Sequence, residues 1–395
     1  MIYADNAATT KISKHAQDVM ISMMNEYWGN PSSLHTPGQL ANEKLYEARK
    51  IIAECINAAD PRFIYFTATG SEADNQALIT GAKLGLRKGK KRIISTTIEH
   101  HAILHTLDRL KSEGYEIVLV PVDESGIVSV DDIENAINDE TALVSVMFAN
   151  NEIGTIQPIK EIGAVCKKHN VLFHTDAVQA AGHEHIDVQE MNIDMLSMSG
   201  HKFNGPRGIG ALYARKGILP YNIITGGAQE RGRRAGTENL PAIYAMAVAL
   251  KDACDEMDST NEYLKSLTSV LIDKLSAVEH SSLNGDREKR LSSNVSFCFE
   301  GIEGESILLL LNEKGIFSSS GSACTSGSLD PSHVLLAIGR DASVAHGSVR
   351  LTFSKETTID DINYIAEELP KIVEYLRNMS PVWKELQAGE REYML

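Results

Sequence analysis

The sequence predicts an α/β fold in which a mainly parallel sheet is followed by a smaller α+β unit. Short apolar runs rich in β-branched residues alternate with helical patterns, which favours parallel strands buried on both faces. Beyond about residue 250 this alternation gives way to mixed strands and helices, which indicates the second unit. Seven runs precede that point, and we interpret them as strands at 63–67, 92–97, 116–122, 143–149, 171–176, 195–199 and 210–215.

The remaining elements follow in chain order. Helices are predicted to begin near Ser71 and to cover 100–113, each directly after a strand, and a long charged helix is predicted over 241–278. The second unit is completed by a strand at 292–300, a helix over 303–315 that ends at a glycine C-cap, a strand at 347–354 and a helix from about Thr358 to Asn378.

Length and composition limit the classes of function. A chain of 395 residues, 43% hydrophobic and 23% charged, is long enough for about two domains with large cores. Its formal net charge of −15 argues against non-specific binding to nucleic acid or to an anionic membrane. The basic stretch RGRR at 231–234 is interpreted as a solvated loop or a dimer contact. We therefore expect no direct nucleic-acid partner and no membrane association.

The five cysteines favour a reducing compartment. They are widely spaced, odd in number and form no CxxC pair, so neither a disulfide framework nor a zinc site of the usual spacing is expected. The first ten residues, MIYADNAATT, contain an acid and lack the apolar segment of a signal peptide, and no apolar run approaches 18 residues. A cytoplasmic location is expected.

Polar residues follow the predicted strands where a ligand would bind. In open α/β sheets, ligands bind beyond the carboxyl ends of the strands. The segments found there are TGSE, EHH, NNEIG, DAVQ and SGHK, all polar and rich in hydrogen-bond donors. These strand ends are therefore the candidate site.

Three of these segments carry features that one cofactor would use together. Gly70 and Ser71 open a helix, whose N-terminus can bind an anion, although plain helix capping also explains them. Asp176 ends an apolar strand, either as an N-cap or as a carboxylate that holds a buried cationic nitrogen. Lys202 follows the next strand, where a desolvated lysine readily forms a Schiff base. Pyridoxal 5′-phosphate needs a lysine, a carboxylate on its pyridine nitrogen and a phosphate cradle.

The whole chain resembles the cysteine desulfurases, the NifS/IscS-like branch of the class V aminotransferases. The resemblance runs nearly end to end, and SGHK and SGSACTS are its most specific segments. It implies the pyridoxal phosphate-dependent fold type I, with a large cofactor-binding domain over 15–255 and a small domain made of 1–14 and 256–395. The other matching segments are DNAATT, GNPSS, TGSEADN, EHHA, NNEIG, HTDAVQ, SMSGHKFNGPRGIGALY, RRAGTEN and HGSVRLTF.

The resemblance also implies a role for each matching residue. Lys202 would be the Schiff-base lysine, Asp176 the partner of the pyridine nitrogen, and His100 the ring that stacks on the cofactor and handles protons. Arg350 would bind the substrate carboxylate. Thr237 would reach the phosphate of the other subunit's cofactor, which implies a homodimer. The other implied cofactor contacts are Gly70, Ser71, Asn151, Gln179, Ser199 and His201, and the other implied substrate contacts are Asn30 and Asn151.

Some of these assignments have rivals or depart from the family pattern. His101 could be the stacking ring in place of His100, and Arg350 could form an outward-facing ion pair. The adjacent histidines lack accompanying acidic or cysteine ligands at a known spacing, so we expect no resident metal. The family's usual ATE at the phosphate turn is GSE at 70–72 here, and because serine keeps the hydroxyl we expect binding to survive.

The stretch SSSGSACTSGS at 318–328 places one thiol, Cys324, among small polar residues. Such a stretch predicts a mobile surface loop, although free cysteine is usually buried. The resemblance explains it: the thiolate of Cys324 would attack the sulfur of bound L-cysteine, become a persulfide and carry the sulfur to an acceptor. Cys324 could also be a transient iron–sulfur ligand. The other four cysteines are expected in the core.

The predicted function is therefore removal of sulfur from L-cysteine, giving L-alanine and a persulfide. The expected acceptor is an iron–sulfur scaffold protein or another sulfur acceptor, including one that serves tRNA thiolation. An ordinary class V aminotransferase and a selenocysteine lyase remain alternatives.

Overall fold

The computed structural model describes residues 1–320 and 331–395. Cys324 and most of the predicted loop at 318–328 lie outside these ranges. The strands within them are β1 (Ile2–Tyr3), β2 (Ile64–Thr67), β3 (Arg92–Thr96), β4 (Glu116–Val120), β5 (Thr141–Ser145), β6 (Leu172–Asp176), β7 (Met195–Ser199), β8 (Gly210–Ala214), β9 (Ser281–Leu283), β10 (Asn294–Phe299), β11 (Ile316–Phe317) and β12 (Ser348–Thr352).

The helices flank these strands, and none within the described ranges has the length and apolarity needed to cross a bilayer. They are α1 (Lys14–Glu26), α2 (Thr36–Cys55), α3 (Gly70–Leu86), α4 (His101–Ser112), α5 (Val130–Ala136), α6 (Ile159–Lys168), α7 (Gln229–Gly232), α8 (Leu240–Asp255), α9 (Met257–Ser276), α10 (Gly304–Glu313), α11 (His333–Ala337), α12 (Ala342–Ala345), α13 (Ile359–Met379) and α14 (Pro381–Gln387).

The predicted mainly parallel sheet is confirmed, with seven strands in the order β2-β8-β7-β6-β5-β3-β4. Strands β4, β3, β5, β6 and β7 are parallel, whereas β8 runs antiparallel to both β7 and β2. The chain passes from β3 outward to β4 and then returns to the other side of β3 as β5. A ligand site is expected beyond the carboxyl ends of strands at such a reversal.

Helices cover both faces of this sheet, as continuous apolar strands require. Alternate residues of a strand serve opposite cores: Leu143 packs in the cluster below α3 and α4, and Val144 packs in the cluster that includes α2 and α8. The side chains of both are fully buried. The sheet is therefore a rigid base that fixes the positions of the residues at its carboxyl edge.

The predicted α+β unit is built on the antiparallel sheet β12-β10-β9, covered by α9, α10 and α13. Residues 2–3 join it, because β1 pairs in parallel with β11. The proposed domain boundary at 255/256 falls where α8 ends and α9 begins.

Two predicted elements differ from the structure. The helix predicted over 241–278 is two helices that meet at Glu256, because α8 packs against the large sheet while α9 packs against the small one. The strand predicted at 143–149 is β5 at 141–145. Residues 146–149 stay buried, and the amides of Val146 and Phe148 donate to carbonyls of β6, so their apolar sequence resembles a strand.

Candidate active site

Lys202 lies at the carboxyl edge of the large sheet, in a 3₁₀ turn that follows β7. Its Nζ donates to the carbonyl oxygens of Ala7 (2.5 Å) and Ala8 (2.9 Å), in the segment DNAATT. The side chain of Gln179 donates to the same Ala7 oxygen at 3.0 Å. The N-terminal segment therefore brings the predicted Schiff-base lysine and Gln179 to one point.

Asp176 ends β6, the strand adjacent to the one that precedes Lys202, and it is 5% exposed. Its Oδ1 accepts the amide of Val178 at 2.9 Å, so local capping and a ligand role are compatible. Burial raises the pKa of Asp176 to about 6, and the Lys202 charge opposes this rise. A buried carboxyl whose ionisation costs this much is stabilised by a cation placed against it.

The helix α3 begins beside these residues. Thr69 is its N-cap and accepts the amide of Glu72 at 3.1 Å, so the capping role falls to Thr69. A Cβ on Gly70 would lie 2.7 Å from a methyl of Val178 and 3.2 Å from the Cβ of Ser199. Gly70 therefore permits a close approach between the helix N-terminus and the end of β7. The backbone amides of the first helical turn lack acceptors within the helix, so they can bind an anion there.

His201 lies next to Lys202 and joins the same N-terminal segment. Its Nδ1 is 3.1 Å from Oγ1 of Thr9, and its carbonyl accepts from Thr10. Burial, with Lys202 nearby, lowers the pKa of His201 to about 4. The ring is neutral at physiological pH, so with Nδ1 at Thr9 it can offer Nε2 to a ligand.

His100 caps α4 and is one of the two adjacent histidines that the sequence offered. Its Nδ1 accepts the amide of Ala102 at 3.1 Å, so the proton of the neutral ring lies on Nε2. Burial, followed by the charge of Lys202, lowers the pKa of His100 to about 4. His100 is therefore a neutral donor close enough to Lys202 to respond to its charge.

His101 has other neighbours. Its ring centroid lies 5.0 Å from that of His105 and 4.8 Å from that of His333. It also lines a cleft of about 280 Å³ together with Ser71. Within residues 1–320 and 331–395, no group of three or more metal-binding side chains has the geometry to hold an ion.

Arg350 lies in β12 and is 2% exposed, so it is not the outward-facing ion pair that the sequence left open. Its Nη1 donates to the carbonyl of Asn151 at 3.0 Å and its Nη2 to Oδ1 of Asp5 at 2.9 Å. Its Nε is buried without a hydrogen-bond partner among the described residues. Such a donor favours a further anionic group at this place.

Glu152 connects the surroundings of this arginine to the start of α11. Its Oε2 accepts from Oγ of Ser332 at 2.5 Å, and Ser332 is the N-cap of α11. Burial raises the pKa of Glu152 to about 7, while Arg350 opposes the rise. Helix α11 therefore begins at a residue bonded to Glu152, which follows Asn151 in the chain.

Two predicted residues are not brought into this group. Asn30 is exposed, and its side chain accepts the amide of Ser32 at 2.9 Å in a local turn. Thr237 is exposed and lines a separate cleft of about 230 Å³ beside Gly208, whereas Ser71 lines the other cleft. Neither residue lines the cleft that contains Ser71 and His101.

Arg231 and Arg234, in the stretch RGRR at 231–234, make contacts within the chain. Arg234 pairs with Glu72 at 2.9 Å, and the guanidinium of Arg231 lies 4.1 Å from the ring centroid of Tyr65. Glu230 forms a buried ion pair with Arg49. These contacts tie the segment around Thr237 to α3 and β2.

Several functional candidates were missed by the sequence interpretation. Asp5 gave no signal because its partner Arg350 lies 345 positions away. Asp74 could have been noticed as an acid among the apolar residues of α3. Glu99, which is 1% exposed and accepts from Thr96 at 2.7 Å, could have been noticed beside His100.

The geometry fits the predicted cofactor. A carboxyl whose pKa is raised by burial, a lysine that follows the adjacent strand and a helix N-terminus that Gly70 lets approach the end of β7 match the pyridine nitrogen, the aldehyde and the phosphate of pyridoxal phosphate. The neutral ring of His100 lies on the same edge. The residues that would hold the group are therefore present together.

Comparison with known proteins gives matches over nearly the whole chain. The family model described as Aminotransferase class-V matches residues 2–365. A relative named cysteine desulfurase IscS, from Clostridium botulinum, is 50% identical over 394 residues, covering 99% of each chain. A solved structure named NifS-like protein is 35% identical with a TM-score of 0.88, covering 95% of this chain and 100% of that one. Another, described as SspA in complex with cysteine, is 34% identical with a TM-score of 0.79, covering 90% of this chain and 99% of that one.

Proposed function

The chain belongs to the class V aminotransferase family, among its cysteine desulfurases, and we propose that it uses pyridoxal phosphate to convert L-cysteine into L-alanine and a persulfide on Cys324. One observation carries the cofactor assignment: Asp176 ends one strand of the sheet and is buried, and Lys202 follows the adjacent strand and is bonded to the N-terminal segment. The reaction balances as L-cysteine plus the Cys324 thiol giving L-alanine plus the Cys324 persulfide.

The residues at the sheet edge would hold the cofactor in a fixed pose. When bound, pyridoxal phosphate supplies an aldehyde that joins to amines and a ring that accepts the electrons of the Cα–H bond. Asp176 would hold its pyridine nitrogen protonated, and Gln179 would bond its phenolic oxygen. Its phosphate would lie at the N-terminus of α3, held by Gly70, Ser71, Ser199 and His201.

Substrate recognition would depend on Arg350. Its guanidinium is held by Asp5 and the carbonyl of Asn151, which leaves Nε and further N–H bonds for the carboxylate of L-cysteine. Asn151 would complete this contact. Because the arginine is buried, its hydrogen bonds to a carboxylate are worth more than they would be in water.

Proton transfers would be divided between Lys202 and His100. The freed amine of Lys202 would take the Cα proton, since it lies at the edge where the substrate is held. His100 carries its proton on Nε2, so it would relay the proton of the Cys324 thiol toward the Cβ of the substrate, giving up one proton only as it takes the other, and the ring would stay neutral. The Cys324 thiolate would attack the substrate sulfur, forming the S–S bond as the Cβ–S bond breaks.

The sulfur acceptor and the second subunit belong to the same proposal. The persulfide would pass its terminal sulfur to a thiol of an iron–sulfur scaffold protein or another acceptor. Homodimer formation is supported by exposed apolar side chains: Trp28 is 71%, Leu34 is 92% and Leu219 is 57% exposed. Thr237 would then serve the cofactor of the other subunit. A cytoplasmic location is supported by Cys55, Cys166, Cys254 and Cys298, which are free thiols.

The experiment compares variants in the purified protein supplied with pyridoxal phosphate and L-cysteine. Alanine and sulfide should form in equal amounts when a reducing thiol is present, and Cys324→Ala should abolish both while the bound cofactor's visible absorbance stays. Cys55→Ser, which changes a half-buried thiol, is the matched control and should keep the activity. Transamination of alanine or glyoxylate without sulfur release would favour an ordinary aminotransferase. Activity confined to selenocysteine would favour a lyase.

A further inference from the structure

The face of the large sheet below α3 changes character toward its carboxyl edge. In the amino half of the strands this face carries Ile93, Leu143 and Met195, all in one apolar cluster. Because side chains alternate along a strand, the next residues on the same face are polar. They are Ser95 on β3, Ser145 on β5, His174 and Asp176 on β6, and Ser197 and Ser199 on β7. All six are buried.

His174 connects three of these strands below α3. Its Nδ1 lies 2.9 Å from Oγ of Ser145 and its Nε2 lies 3.0 Å from Oγ of Ser197. Ser197 is the register partner of Asp176 across β6 and β7. The hydroxyl of Ser197 is therefore placed beside the carboxyl that would hold the cofactor's ring nitrogen.

Asp74 completes this network from the helix. It lies on α3, one turn after Gly70, and is 1% exposed. Its carboxyl hydrogen-bonds to Ser197 and lies 3.9 Å from Nε2 of His174. Its Oδ1 has no hydrogen-bond partner within residues 1–320 and 331–395. The helix that presents Gly70 to the phosphate thus also places a carboxyl under the strand that carries Asp176.

The charges in this network favour one anion only. Burial, and then the neighbouring Asp176, raise the pKa of Asp74 well above its ordinary value. Burial lowers the pKa of His174 to about 3, so that ring is neutral. Glu99, which also faces Asp176, has a pKa raised to about 8 by burial. Lys202 is the nearby cation, and Asp176 is left as the group that ionises against it.

We propose that Asp74 is a positioning residue, which fixes Asp176 through Ser197 and His174 and so sets how tightly the cofactor's ring nitrogen is held. The proposal rests on the proposed function, because it concerns the same cofactor. Asp74 would not touch the reacting atoms. It would act through the hydroxyl of Ser197, and α3 would thereby couple the phosphate end of the site to the ring-nitrogen end.

The test measures cofactor binding and not only turnover. Asp74→Leu removes both the hydrogen bond and the acid, Asp74→Asn keeps a neutral polar group of the same shape, and Ser197→Ala removes the link. Thr268→Val in α9, which loses a similarly buried hydroxyl far from the site, is the control. Each apoprotein is titrated with pyridoxal phosphate, and the visible absorbance of the loaded protein is followed against pH.

Asp74→Leu should raise the dissociation constant of pyridoxal phosphate about tenfold or more and shift the midpoint of the absorbance titration. Ser197→Ala should shift both in the same direction, and Asp74→Asn should stay within about threefold of the unmodified protein, as should Thr268→Val. A residue that only supported folding would lower stability and leave the midpoint unmoved.

Unchanged binding and an unchanged midpoint in Asp74→Leu would overturn the proposal. Binding in Asp74→Asn as weak as in Asp74→Leu would overturn the claim that a polar group at position 74 positions Asp176. If Asp74→Leu does not fold, an unchanged constant and midpoint in Ser197→Ala overturn the link. Failure of the unmodified protein to bind pyridoxal phosphate would instead refute the proposed function.

Discussion

Nη2 of Arg350 donates to Oδ1 of Asp5 across 2.9 Å, which joins strand β12 to the first residues of the chain. The contact holds the guanidinium in one orientation, and the carbonyl of Asn151 holds it from a second direction at 3.0 Å. An arginine fixed in this way presents its remaining N–H bonds in a plane that matches a carboxylate.

Arg350→Lys should therefore raise the KM for L-cysteine about tenfold or more, because a lysine keeps the charge and loses the planar fork. The measurement is alanine formation against L-cysteine concentration. Arg340→Lys is the matched control, since Arg340 donates to Asn284 and Leu283 elsewhere in the chain, and its KM should not change. Equal KM values for the two variants would remove Arg350 from substrate binding.

The donor role of His100 predicts a loss confined to chemistry. His100→Asn should lower kcat about 100-fold or more and leave the absorbance of the bound cofactor in place. His105→Asn changes an exposed ring one turn further along α4 and should keep kcat. If both variants turn over alike, His100 handles no proton in the rate-limiting step.

The burial of the Glu99 carboxyl predicts how the stability of the protein depends on pH. In the folded chain burial raises the pKa of Glu99 to about 8, whereas the unfolded chain loses this proton near the ordinary value of about 4.3. The unfolded state therefore binds fewer protons between these values, and the contribution of this group to stability falls as pH rises through that window.

Glu99→Gln, which stays neutral, should remove this loss. Its free energy of unfolding should gain on that of the unmodified protein as the pH is raised from 5 to 8, measured by urea denaturation of the apoproteins. The control is Glu43→Gln at an exposed position, where the difference should be flat. A difference for Glu99→Gln that is constant or shrinks with pH would show that its carboxyl ionises normally.

The buried pair of Arg49 and Glu230 predicts a large effect on stability. Arg49 also donates to the carbonyl of Ile64 at 2.8 Å, and Glu230 accepts the amide of Phe66 at 3.0 Å. Arg49→Ala leaves a buried carboxylate without its partner and should cost about 3–5 kcal/mol of unfolding free energy. The adjacent Lys50→Ala removes an exposed pair with Glu54 and should cost less than about 0.5 kcal/mol. Similar losses in urea denaturation would contradict this account of the segment that carries Thr237.

The sequence predicted the sheet because its strands are buried on both faces and read as short apolar runs. It could not give the reversed direction of β8, since direction depends on the connection and not on composition. Residues 146–149 show a second limit, because burial alone makes a coil segment resemble a strand. Helix α9 turns away from α8 at Glu256, and the two helices pack in different cores.

The candidate site was predictable where a residue type with a known chemical role lies at the end of a predicted strand. Lys202, Asp176 and Gly70 each follow a strand and could be recognised along the chain. The supporting contacts could not, since Asp5 meets Arg350 only after the small unit closes on the first strand. The position of Asp74 near His174 likewise depends on which strand α3 covers, and this could not be seen along the chain.

The proposed reaction requires a covalent link between Lys202 and pyridoxal phosphate. Reduction of the cofactor-loaded protein with borohydride, followed by proteolysis and mass spectrometry, should find the pyridoxyl phosphate group on the peptide that contains Lys202 and on that lysine alone. A label on another lysine, or none on a protein that still releases sulfur from L-cysteine, would contradict it.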